Sequence, residues 1–205
     1  MSKVTNKIKI IITDFDFKKD KALIYSFVSV AVGLISGAVI TVFSTSTLMS
    51  ETTDLFVSYF IDFTDKNKLE IFSGISLEGL IYFGALFIAG SNIFGKELTL
   101  ILTALKASGI TAIITVLYSN YGLKGLEYAL LVFLPGKVIL FFVMLFLTKF
   151  CYEFSAALRI NKDRISTINV FMVKSLIALF FMLFSWLVDF LTVIIFSGLF
   201  EFNQQ

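Results

Sequence analysis

From Leu23 to Ser44 the chain runs through 22 residues without one charged side chain. At about 1.5 Å of rise per residue, a helix of this length matches the roughly 30 Å hydrocarbon thickness of a bilayer. Comparable apolar segments follow at about 77–93, 98–118, 128–150 and 168–196, and the last stays apolar to Phe200. Lipid offers backbone polar groups no water to bond, so long apolar runs must form helices. The expected fold is therefore all-α, a polytopic membrane protein with a bundle of five transmembrane helices. Residues 1–22 are polar and form an N-terminal segment, and 23–200 make a single transmembrane domain. Composition agrees: 58% of residues are hydrophobic, 16% are charged and the mean hydropathy is +0.92. Soluble domains have about 45–50% apolar and about 25% charged residues.

Several function classes fall away at once. The chain has no His and a single Cys151, which excludes thiol–His and zinc sites and any internal disulfide. A net charge of +2 with no dense basic run points away from nucleic acid. Of the intramembrane proteases, only the paired-aspartate kind survives without His. Asp14 and Asp16 fall before the first span, Asp54, Asp62 and Asp65 after it, and only Asp189 lies near a span. Gly95-Lys96 and Gly136-Lys137 lack the upstream glycine and the Ser/Thr of a phosphate loop. The expectation is a non-enzymatic protein without cofactor or metal. The first apolar run carries no small-residue cleavage site and is expected to stay as an anchor.

Lysine and arginine set the expected orientation. Eleven fall on the N-terminal side: Lys3, Lys7, Lys9, Lys18, Lys19, Lys21, Lys96, Lys149, Arg159, Lys162 and Arg164. Only Lys66, Lys68 and Lys124 fall on the other. This places the N-terminus in the cytoplasm and, with five spans, the C-terminus outside. The outside loop, about 45–75, carries an amphipathic helix signal. Ser50 precedes Glu51 and Asp54 as an N-cap with acid in the first turn. Leu55, Phe56, Tyr59, Phe60 and Phe63 then recur on one helical face, suited to lying on the bilayer or to docking a partner.

Two features lie inside the spans. Ser29, Gly33, Gly37 and Thr41 repeat every four residues, and Ala104, Ser108 and Ala112 do the same on the third span. Small residues let helices approach closely, either within one chain or in a homo-oligomer. Lys106, Lys137 and Asp189 are charges in apolar surroundings, where each needs a partner or a route to the interface. Lys137 and Asp189 are placed to pair, as an ion-translocation element or as structural glue. Lys137 also follows Pro135, the only proline, and Gly136. Pro135 removes one N–H and frees a carbonyl near Leu131; the Lys137 ammonium is placed either to cap it or to reach outward to the interface.

The order of these features resembles the stage II sporulation protein M family. The likeness starts at YSFVSVAVGLISGAVI and TLMSETTDLFVSYF, between Tyr25 and Phe60. It continues through ALKASGITAIITVLYSNYGLKGLEYALLVFLPGKVILFF, with Lys124-Gly125 in a glycine-rich turn ahead of a Leu-Pro break, and ends at LVDFLT. Where that family has His-Gly or Gln-Asn after Leu-Pro, this chain has Gly136-Lys137. The resemblance implies a membrane scaffold acting in sporulation engulfment at the septum. Its partners would be membrane-anchored cell-wall hydrolases of the stage II sporulation protein D and P type. Relatives in circular-bacteriocin gene clusters imply an alternative in maturation, export or immunity beside an ABC-type ATPase.

Overall fold

A computed structural model describes residues 20–44, 68–159 and 164–196, and these are helical except at 20, 44 and the turn 91–94, with no strand among them. Helix α1 is Lys21–Phe43, α2 is Lys68–Gly90 and α3 is Gly95–Tyr128. A five-residue π-helical segment, Ala129–Phe133, leads directly into α4, Leu134–Arg159, and α5 is Arg164–Phe196. Asp20 caps α1 by accepting a hydrogen bond from the Leu23 N–H at 3.2 Å, which satisfies one of the helix's free donors.

Four helices are long and apolar enough to cross a membrane, one fewer than the expected five. The reason is that the expected third and fourth spans are one helical run of 65 residues, Gly95–Arg159. Straight, it would extend about 98 Å, over three times the hydrocarbon thickness. It folds back instead at Gly122, whose φ of 57° and ψ of −133° only glycine adopts readily. Gly125 then lies against the Leu117 carbonyl, too close for a β-carbon. The two legs run antiparallel: the Thr103 and Thr148 hydroxyls meet at 2.5 Å, and Arg159 donates to the Ile93 carbonyl at 2.7 Å.

A second correction concerns α2, which starts at Lys68 rather than near Leu77. Ser73 and Ser76 fold their hydroxyls onto the carbonyls of Glu70 and Phe72, so these polar residues do not interrupt the helix. Residues 68–75, expected in the outside loop, are therefore helical. Leu55, Phe56, Tyr59, Phe60 and Phe63 lie outside the described residues. The helix that follows the Pro135 break continues past the expected end at Phe150 to Arg159.

Packing places the elements. Helices α1 and α3 are parallel, with Gly33 against Ala104 and Gly37 against Ser108. Helix α2 runs antiparallel to α5: Phe72 meets Phe190, Gly79 meets Trp186 and Phe87 stacks on Phe171. Phe154 of α4 stacks on the other side of this ladder, 4.2 Å from Phe171 between ring centroids. Leu86, Leu117, Leu147 and Met182 are fully buried at the centre. The start of α1, the α2–α3 turn and Arg159 gather at one end of the bundle. The end of α1, Lys68, Gly122 and Phe196 gather at the other.

Candidate functional site

The break at Pro135 is built by two helices. The π-helical segment lets the Leu134 N–H reach back to the Ala129 carbonyl, one residue further than α-helical spacing. Helix α5 adds hydroxyl bonds to carbonyls on either side of the proline. Thr192 donates its hydroxyl to the Val132 carbonyl at 2.8 Å, and Ser185 donates to the Gly136 carbonyl at 2.7 Å. The expected cap on the broken backbone was the Lys137 ammonium, and here the structure differs. Short hydroxyls on the facing helix reach the carbonyls, while the lysine turns to a stronger partner.

That partner is Asp189. Lys137 Nζ lies 2.9 Å from Asp189 Oδ2, with the two side chains only 12% and 6% exposed. Gly136 makes room for the acid, since a β-carbon there would run into the Asp189 carboxylate. The ammonium also sits 5.2 Å from the centre of the Phe133 ring, a cation–π contact that partly replaces lost water. The three break residues thus divide the work. Pro135 opens the backbone, Gly136 admits the acid and Lys137 neutralises it.

A second pair stands beside the first. Lys106 on α3 pairs with Glu78 on α2 and lies 5.9 Å from the centre of the Tyr82 ring. Glu78 is ten residues into α2 and Lys106 eleven into α3, about 15 Å from the helix starts and so near mid-depth. The pairs act on each other: Lys137 lies within electrostatic range of Glu78, and Lys106 within range of Asp189. Two acids and two bases on four helical segments form one neutral cluster. The Lys106 side chain is 14% exposed, but that of Glu78 is 54% exposed on the outer surface of the bundle.

Glu78 is the site residue that the sequence reading missed. An expected span beginning at Leu77 placed it at the membrane edge, where a carboxylate attracts no notice. The available signal was an acid inside the apolar run SLEGLIYFGALF, with an unexplained lysine mid-way along the next run. A second cluster lies at the α1 end. Lys149, expected at the N-terminal-side end of the fourth span, is 7% exposed and pairs with Asp20, while Glu153 links it to Lys174.

The small-residue stripe is used inside the chain. Ser29 donates to the Leu100 carbonyl at 2.5 Å, and side chains at Gly33 or Gly37 would collide with the α3 backbone. Ala104 and Ser108 receive those glycines, and Ala112 is half-buried one turn further on. Cys151 is buried, and no group of three or more potential metal ligands occurs among the described residues. Comparison of the chain with protein-family models, with curated proteins and with solved structures finds no match.

Proposed function

We propose that this chain is a non-enzymatic integral membrane scaffold of the stage II sporulation protein M type, holding cell-wall hydrolases at a septal membrane. The observation that supports this reading is the commitment of mid-membrane charge to the chain's own helices. Each buried lysine of the cluster bonds an acid from another helix, and α5 hydroxyls bond backbone carbonyls on either side of Pro135. Such a core favours one fixed arrangement, which a platform for other proteins needs and a conducting path does not. The N-terminus is taken as cytoplasmic, which puts the loop after α1 outside, where cell-wall enzymes work.

The test is affinity purification of the full chain from membranes, comparing the wild type with a Tyr59→Ser, Phe60→Ser, Phe63→Ser triple variant. Membrane-anchored cell-wall hydrolases should co-purify with the wild type and be lost from the variant, with insertion unchanged. Equal recovery from both would overturn the assignment of the outside loop. Capture of an ABC-type ATPase in place of hydrolases would replace the scaffold reading with the bacteriocin-export one. Ion flux in proteoliposomes that stops in Lys137→Ala would replace it with transport.

A further inference from the structure

Glu78 breaks the rule that the other charges of its cluster obey. Ionisable side chains within membrane spans face the interior of a bundle or a watery cavity. Lys106, Lys137 and Asp189 do so, but the Glu78 side chain is 54% exposed on the outer surface, near mid-depth. Lys106 bonds only its Oε1, which leaves Oε2 without a partner among the described residues. The Lys106 ammonium has three donors and uses one of them on Glu78. The surface around the pair is open. Ile81, one turn beyond Glu78 on α2, is exposed, and a β-carbon at Gly109, one turn beyond Lys106 on α3, would meet nothing within 4 Å. Of the four spanning helices among the described residues, α2 has the smallest buried share.

We propose that this face joins two copies of the chain about a two-fold axis along the membrane normal. Lys106 of each copy keeps its own Glu78 and donates a second hydrogen bond to Glu78 Oε2 of the other. Two features of the face select a second copy as the occupant. First, an acid and a base lie side by side on it, as an isologous contact requires, where residue i meets j and j meets i. Second, copies inserted in the same direction carry Glu78 and Lys106 at the same depth, so the bonds form without one chain slipping past the other. A different protein bringing a lone cation would leave an unbalanced charge in hydrocarbon, because the cluster is neutral by itself. A second copy adds one charge of each sign and closes a ring of two acids and two lysines. The bare surface at Gly109 lets the backbones come close, which membrane helices need in place of a hydrophobic drive.

FRET between donor- and acceptor-tagged full chains, diluted in stages in proteoliposomes, tests the contact. The wild type should dimerise, and Glu78→Gln should weaken the dimer roughly tenfold to a hundredfold, since two charged bonds are lost. Gly109→Leu fills space that is empty within one chain, so it should abolish FRET while the monomer keeps its Tm. A wild type that stays monomeric at every dilution, or FRET unchanged in either variant, overturns the proposal. Charge exchange separates pairing between copies from pairing within one. Mixed Glu78→Lys and Lys106→Glu chains should give FRET that neither gives alone, because opposite charges then meet only across the axis. Recovery only when both substitutions sit in the same chain would confine the pairing to one copy and overturn the dimer.

Discussion

Removing the ammonium from the buried Lys137–Asp189 pair is the sharpest test of what the pair does. In Lys137→Met the side chain keeps its length but leaves Asp189 buried, with 6% of its side chain exposed. Breaking a buried pair from one side costs about 3–5 kcal/mol. An upper bound comes from the carboxylate's alternative, which is to take up a proton. For an ordinary aspartate near pKa 3.9, that costs about 1.4 kcal/mol per unit at pH 7, or roughly 4 kcal/mol. The expected loss is therefore about 3–4 kcal/mol. Asp189→Leu should be milder, because the lysine's four-carbon stem can carry its charge outward, whereas aspartate has a single methylene. The double variant, Lys137→Met with Asp189→Leu, should return to within about 1 kcal/mol of wild type, since an apolar pair of similar volume replaces the ionic one. Reversible unfolding in mixed micelles gives all three values. If the double variant loses the sum of the two single losses, the residues do not act as a pair and the reasoning is refuted.

Two more outcomes follow from the packing and the charge pattern. Gly37→Val at the α1–α3 seam drives a side chain into the Ser108 backbone and should cost about 1–3 kcal/mol in the same unfolding assay, whereas Gly84→Ala on α2, which meets nothing nearby, should change little. Lys96→Cys and Lys124→Cys lie toward opposite ends of the bundle; a membrane-impermeant thiol reagent on intact cells should label only Lys124→Cys, and labelling of Lys96→Cys instead would invert the proposed orientation.

What was readable in advance follows the reach of each signal. The α1 stripe was legible because small residues at a spacing of four state both the face and the closeness of approach. The Lys137–Asp189 pair was legible because both charges stood alone in long apolar runs. Glu78 was not, because a hydropathy window cuts a span at its first charged residue. Only its partner on another helix shows that the charge belongs inside. The count of helices failed for a related reason. Hydropathy marks apolar stretches but does not say whether a polar interval is a loop. The interval around Gly122 is helix on both sides of a single residue. The bonds from Ser185 and Thr192 to the carbonyls flanking Pro135 had no sequence signal, since hydroxyls about fifty residues away cannot be assigned to a carbonyl without the fold.

The charge cluster also constrains how the chain can be made. Lys106 follows Glu78 by 28 residues, but Asp189 follows Lys137 by 52. At a synthesis rate of about 5–20 residues per second, Lys137 waits roughly 3–10 s for its counter-charge. During that interval the nascent hairpin carries an uncompensated cation, which the lysine's long stem must hold toward the interface until the last helix arrives. A chain that stops before Asp189 therefore differs from the complete one in where the Lys137 charge sits: at the interface and not in the buried pair.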